Sequence, residues 1–534
     1  MANTVAISEL IFIPAPGMGH IMSTVEIAKL LVSRDQRLAI TVLVMKPHAM
    51  NSGSAITEYI ESLAKNTMDR VSFIQLPRYV APSFPDPKVS FFDEFGKCHC
   101  RYVRNVVADL TSLQGLRRIT GFVIDMFCTG MIDVANEFNV PTYLFFTSTA
   151  AFLGFKFYIQ TLCDDLNEDV VELSNSDTEV AVPSFVKPLP TKFFWNFVQT
   201  RERLDFVLRS IRKLRGVKAI MVNTFLELET HAMESLSADI NIPPVYPVGP
   251  ILNLEGGPTM GKQVYHDVIM WLDSQPCSSV VFLCFGSMGS LDEAQVKEIA
   301  RGLEQSGYRF VWSLRRPPSD QTSGVMADYK DPSEVLPEGF MERTRGIGRV
   351  IGWAPQVTLL GHVAVGGFVS HCGWNSLLES LWFGVPTAAW PMYAEQPMNA
   401  FEMVVELGLA VEIKLDYKNV SNPKANIVIV TAKEIENGIR RVMEDNEIRT
   451  KVKEMSGKSR LAIAESGSSY ASIGRLIQEF LRTLDLDLCF IVAKVDVSYS
   501  SAGSSTMYLF RNLDCYHFLY MYTTIIIVKI SCIK

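Results

Sequence analysis

WAPQVTLLGHVAVGGFVSHCGWNSLLESLWFGVPTAAWPMYAEQ, running from Trp353 to Gln396, is the stretch around which the rest of the chain is organised. GGFVS (Gly366–Ser370) is a short apolar run flanked by glycine and reads as a buried strand. Asn375 to Trp382 reads as a helix, with Leu377, Leu378 and Leu381 apolar and Glu379 polar. Gly384, Val385 and Pro386 end it, and Thr387 to Trp390 reads as the next strand. Strand, tight turn, helix, turn, strand is the repeating unit of an open parallel sheet. In such sheets ligands sit beyond the carboxyl ends of the strands.

A helix N-terminus at that edge carries unpaired N–H groups and roughly half a positive charge, which suits a pyrophosphate. His371, Gly373, Asn375 and Ser376 cluster at the turn. Glycine lets the backbone approach a phosphate, and the Ser376 hydroxyl can donate a hydrogen bond. Trp353 offers a flat plate for a base, Glu379 can accept from ribose hydroxyls, and Glu395 with Gln396 can bind a polyol. Taken singly these residues have plainer accounts. Tryptophan fills cores, and a Gly-Trp-Asn-Ser turn caps helices. Their conjunction is far more specific.

From its opening WAPQ through HCGWNS to its closing EQ, the stretch closely resembles the signature of plant small-molecule UDP-glycosyltransferases, which conjugate sugars to secondary metabolites. The resemblance covers residues 5 to 483 or so. It implies an α/β fold of two doubly wound Rossmann-like domains facing across a cleft (GT-B type). It also implies that Trp353 and Ala354 meet the uracil and that Gln356 and Glu379 hold the ribose. Ser287, His371, Gly373 and Ser376 would serve the phosphates. Thr147, Trp374, Asn375, Glu395 and Gln396 would border the sugar. The closing Gln396 favours glucose, since relatives using galactose often carry His there.

Length and composition bound the rest. At 534 residues the chain is too long for one typical domain, and 48% apolar content supports sizeable cores. A net charge of −7 argues against a nucleic-acid or anionic-membrane surface. Ten cysteines lack the density of a disulfide scaffold, and the first residues show no basic n-region or small-residue cleavage site, with Glu9 just before the first apolar run. The expectation is a reduced, cytoplasmic monomer with no stable membrane insertion. Cys98-His99-Cys100 has no second ligand pair at zinc-site spacing, so no metal is expected.

Read in order, Glu9–Pro14 is a strand, followed by PAPGMGHIMS and a helical run from Thr24 to Ser33. The Gly-x-Gly lacks a third glycine, and no acid clearly ends the next strand, Leu38–Met45, so a dehydrogenase fingerprint is weak. Alternation continues through strands at Val71–Gln75, Gly121–Asp125 and Tyr143–Phe146 and helices at Ser90–Leu113 and Thr129–Phe138. It argues for a parallel sheet wrapped by helices. His20 and Asp125 both fall at carboxyl strand edges and can converge across 105 residues of sequence. By themselves they read as a loop histidine and a helix-cap aspartate. IPAPGMGH and IDMFCTGMIDVANEF resemble the family segments that carry the catalytic histidine and its aspartate. Residues 163 to 192 read as an acidic, proline-bearing loop, which in the family shapes the acceptor pocket. Further on come a strand at Gly216–Asn223, a helix at Thr224–Ser235, a strand at Ser279–Phe285, a helix at Glu293–Ser306 and a strand at Arg309–Leu314.

The expected domains are 1–247 for the acceptor and catalytic base, a Pro- and Gly-rich linker at 248–265, and 266–464 for the UDP-sugar. A terminal helix at 465–484 returns to the first domain. Residues 485–534 differ in composition and form an atypical tail, with translated non-coding sequence the favoured origin and a membrane tail the alternative. Its apolar run Phe518–Val528 is short of the ~20 residues that span a bilayer.

The implied reaction is inverting transfer of glucose from UDP-glucose, the co-substrate, to a small lipophilic hydroxylated acceptor, without a metal. Met18, Phe91, Phe92, Met126, Phe127 and Tyr393 lie near the catalytic elements and suggest a flat acceptor, a flavonoid or other phenolic, while Phe193, after the acidic loop, either lines the acceptor pocket or simply packs. Terpenoid and hormone acceptors stay open. So do two other classes: a dehydrogenase on the same architecture, which would bind NAD, and a non-catalytic UDP-sugar-binding protein, against which intact His20 and Asp125 argue.

Overall fold

Strand β1 (Ile7–Ile13) buries Leu10 and Phe12 in one apolar cluster and Ile11 and Ile13 in another, so both of its faces are covered. A strand covered on both sides needs an unbroken apolar run, and LIFI supplies it. The computed structural model describes residues 7–46, 59–63, 69–78, 91–112, 117–198, 200–255, 262–317, 327–417 and 428–482. The expected C-terminal tail and the middle of the expected interdomain linker therefore lie outside the described residues.

The first domain continues with β2 (Leu38–Val44), β3 (Val71–Gln75), β4 (Arg117–Asp125) and β5 (Thr142–Phe146). A small ribbon of β6 (Glu179–Val180) and β7 (Leu189–Pro190) intervenes before β8 (Ala219–Val222) and β9 (Val245–Pro247). The large strands form one seven-stranded sheet, ordered β3-β2-β1-β4-β5-β8-β9 and parallel throughout.

The second domain repeats the plan with β10 (Val280–Cys284), β11 (Arg309–Ser313), a ribbon of β12 (Arg315–Arg316) and β13 (Ala327–Asp328), then β14 (Gly348–Ile351), β15 (Val365–Ser370), β16 (Thr387–Ala389) and β17 (Ala410–Glu412). Its parallel sheet has six strands, ordered β14-β11-β10-β15-β16-β17. Val281 and Leu283 face one core and Val280 and Phe282 the other, so this sheet too is covered on both sides.

Most expected elements appear within a residue or two of their expected bounds. The first helix is the informative exception. It spans Met18–Arg34 rather than starting at Thr24, which puts His20 in its opening turn. Glycine costs about 1 kcal/mol inside a helix, so GMGH reads locally as a turn. Burial of Ile21 and Ser23 overrides that preference. The helix expected from Thr224 begins only at Thr230, because the Glu229 carboxylate accepts from the Ala151 amide at 2.8 Å and anchors the preceding turn.

After the second sheet, a helix over 468–482 crosses back to the first. Ile473, Leu476, Ile477, Phe480 and Leu481 join the cluster of Leu10, Phe12 and Val25, each worth roughly 1.5–3 kcal/mol of burial. Phe480 meets Tyr143 edge-on at 4.7 Å, and Lys218 pairs with Glu479 at 3.2 Å. Among the described residues, no helix is long and apolar enough to cross a membrane.

Candidate active site

β1 and β4 lie side by side with Ile13 opposite Ile124. Their carboxyl ends therefore deliver His20 and Asp125 to one place. Nδ1 of His20 lies 2.7 Å from Oδ2 of Asp125 and 3.1 Å from Oγ1 of Thr147. The other carboxylate oxygen, Oδ1, accepts from the Phe127 amide at 3.0 Å. Asp125 is almost completely buried, whereas His20 keeps 27% of its side-chain surface. With Nδ1 engaged, Nε2 is the nitrogen left for chemistry. Burial pushes the His20 imidazolium towards losing its proton; the charge and hydrogen bond of Asp125, helped by Glu395, outweigh this and hold its pKa above the ordinary value.

Across the gap, β15 ends at Ser370 and the chain turns through Cys372, in the left-handed region at φ 60°, into the helix Trp374–Phe383. His371 is wedged between two glycines. A Cβ on Gly286 would lie 2.5 Å from its Nε2, and one on Gly373 2.6 Å. Burial drops its pKa to about 4, so it serves as a neutral imidazole. The side-chain amide of Gln356 donates to Oγ of Ser376 at 2.9 Å and to Oε2 of Glu379 at 2.6 Å. Burial raises the Glu379 carboxyl to about 7, against the lowering effect of that bond. Oε1 of Gln396 accepts from the Met392 and Tyr393 amides and fixes the turn that carries Glu395.

Both halves face one cavity of about 620 Å³, within the range of small-molecule sites. Its lining brings together His20, Thr147, Ser287, Trp353, Ala354 and Gln356. It also includes His371, Gly373, Trp374, Asn375, Ser376 and Glu379, and beyond them Glu395 and Gln396. Asp125 sits behind His20 and is not part of the wall.

Two signature residues also tie the domains together. The Trp374 indole N–H donates to the Asn223 carbonyl at 2.7 Å. Asn375 donates to the Gly19 carbonyl at 3.3 Å and accepts from Ser23 at 3.4 Å.

Of the apolar residues expected to meet an acceptor, Met18, Met126, Phe127 and Tyr393 line the cavity. Phe193 does not. It is buried in the 3-10 turn Thr191–Phe193 and packs on Phe401 at 6.0 Å, while its neighbour Phe194 packs edge-on to Phe155 at 4.8 Å. The expectation for Phe193 is corrected: it is core. Residues 163–192 likewise leave the cavity wall to other segments. Phe91 and Phe92 open the helix Phe91–Ser112, and their side chains fall outside the described residues. Sequence reasoning missed Arg315, Met288 and Asn253, which also line the cavity. Arg315 carried a usable signal, since it follows the carboxyl end of β11. Of Cys98-His99-Cys100, His99 is buried, with Nδ1 2.8 Å from the Phe95 carbonyl. No group of three or more potential metal ligands occurs among the described residues.

Two doubly wound domains closing on such a cleft define the GT-B class of glycosyltransferase. The family described as UDP-glucoronosyl and UDP-glucosyl transferase matches residues 223–458. UDP-glucose flavonoid 3-O-glucosyltransferase 6 of Fragaria ananassa is 53% identical over 482 residues, 88% of this chain and 98% of that protein. UDP-glycosyltransferase 71A15 of Malus domestica is 51% identical over 486 residues, 88% of this chain and 99% of that protein. Among solved structures, Medicago truncatula UGT71G1 complexed with UDP-glucose superposes with a TM-score of 0.78 at 38% identity, covering 89% of this chain and 98% of that one. A transferase from Siraitia grosvenorii in complex with UDP gives a TM-score of 0.78 at 44% identity, covering 89% and 100%. The chain belongs to the UDP-glucoronosyl and UDP-glucosyl transferase family.

Proposed function

We propose that this protein transfers glucose from UDP-glucose to a hydroxyl of a flavonoid or other small phenolic, inverting the anomeric carbon. The observation that carries this reading is the His20–Asp125 pair, 2.7 Å apart at one wall of a cavity whose other wall holds the nucleotide-sugar signature. A phenol has a pKa of about 10, so it keeps its proton until it attacks. Nε2 of neutral His20 takes that proton as the acceptor oxygen bonds to the anomeric carbon. Asp125 keeps the ring's tautomer and stabilises the imidazolium. The bond between that carbon and the β-phosphate oxygen breaks on the opposite side, and UDP leaves with the electron pair.

Charge developing on the pyrophosphate meets the amides that open the helix Trp374–Phe383, together with Ser287, Ser376 and the neutral His371, an oxyanion-hole arrangement. Trp353 is the plate for the uracil, and Gln356 with Glu379 holds the ribose. Glu395 and Gln396 take the sugar hydroxyls, and Met18, Met126, Phe127 and Tyr393 receive the acceptor. Seven free cysteines among the described residues support a reducing, cytoplasmic setting.

The test is a mass-spectrometric screen of phenolic and terpenoid acceptors with UDP-glucose and with UDP-galactose. Glucosides of phenols, formed faster from UDP-glucose, are the expected result. UDP-glucose binding with neither transfer nor hydrolysis would overturn it.

The domain plan gives a second prediction. Relatives are matched over nearly their whole length by 88% of this chain. A variant lacking residues 485–534 is expected to keep turnover within about twofold of the full chain, assayed on the same acceptor. A folded truncation without activity would assign the tail a role.

A further inference from the structure

We propose that Arg315, held by Asp328, is a positioning residue that fixes the Trp353 indole from one side, so that its other side receives the uracil. The guanidinium carbon of Arg315 lies over the Trp353 ring, 5.2 Å from its centroid. Arg315 and Asp328 are register partners across the β12–β13 ribbon, and Nε of Arg315 lies 2.9 Å from Oδ1 of Asp328. That same oxygen accepts from the Trp353 amide at 3.1 Å. One carboxylate oxygen therefore fixes both the backbone of the plate and the cation over its face.

Gly352 makes room for this. A Cβ there would lie 2.3 Å from the carboxyl carbon of Asp328. The Arg315 side chain is only 11% exposed, and a cation over an indole gains strength as water is excluded. Arg315 and Trp353 both line the cavity. An indole with one face taken and its tilt fixed is already arranged for a single aromatic ring, which lowers the ordering cost of binding.

This inference rests on the reading that Trp353 receives the base, and the experiment separates the two. UDP binding to the full chain is measured by calorimetry for Arg315→Met, Arg315→Lys, Gly352→Ala and Trp353→Ala, with pyrophosphate as a second ligand. Arg315→Met is expected to weaken UDP about three- to tenfold. The KM for UDP-glucose should rise by a similar factor, with kcat and the acceptor KM within about twofold of the parent. Pyrophosphate binding should not change. Arg315→Lys should recover part of the loss, because the charge returns without the planar fork. Gly352→Ala should resemble Arg315→Met, since it displaces Asp328.

Unchanged UDP affinity in Arg315→Met overturns the inference. Equal weakening of UDP and pyrophosphate overturns it too, by making Arg315 a phosphate ligand. A lowered Tm with every kinetic parameter impaired together would reduce Arg315 to a structural role. If Trp353→Ala leaves UDP affinity intact, the underlying reading of the plate fails instead.

Discussion

His20→Ala loses transfer by about 10²–10⁴-fold, the usual worth of a positioned general base, while calorimetry still detects UDP at the parent's affinity. In the proposed reading the imidazole serves the acceptor, whereas uracil, ribose and phosphates are met by Ser287, Trp353, Gln356, His371, Ser376 and Glu379, all cavity-lining residues of the second domain. Removing the ring therefore takes away the proton acceptor and leaves the diphosphate site standing. Turnover close to the parent's would reject His20 as the base. Loss of UDP binding would mean that the ring supports the far wall as well.

Asp125→Asn gives the second large effect and a distinct signature. In serine hydrolases the equivalent change costs up to about 10⁴-fold, because the amide presents the wrong partner to the imidazole and stabilises the wrong tautomer. A kcat loss of about 10²-fold or more is expected here, with the acceptor KM less affected. The pH profile carries the sign. Only the neutral ring accepts a proton, so kcat/KM of the parent falls as pH drops through the raised pKa of His20. Removing the charge of Asp125 removes the principal raising influence and leaves burial, which lowers that pKa. The acid limb of the variant should therefore move to lower pH, and its deficit should shrink in acid. An unmoved acid limb would show that Asp125 does not set the ionisation of His20.

Much of this was legible in the chain itself. The β10 and β15 runs read as buried strands because they are apolar without alternation, and Gly373 reads as a place where backbone can approach a phosphate; that Gly286 and Gly373 make room for His371 emerges only from the fold. Gln356 and Glu379 fall on one patch, because the helices that carry them pack side by side. Other features depended on distance in sequence. Nothing local in GMGH shows that the first helix swallows His20, since that outcome is decided by burial of Ile21. Phe193 stays open between pocket and core in the sequence, because an apolar residue before a helix looks the same in either place. Arg315 went unnoticed because its partner Asp328 is brought to it only by the ribbon. The interdomain bond from Trp374 to Asn223 spans 151 positions, and no periodicity encodes it.

That bond, with the Asn375–Gly19 bridge, has a kinetic corollary. The opening turn of the helix Trp374–Phe383 is tied through these two residues to Asn223 and to Gly19, the neighbour of His20. Any separation of the two domains would break both bonds and carry that helix N-terminus away from the imidazole in the same stroke. Under the proposed mechanism an opened enzyme would hold its base and its leaving-group site apart, so departure of the nucleotide and loss of catalytic competence would be one event.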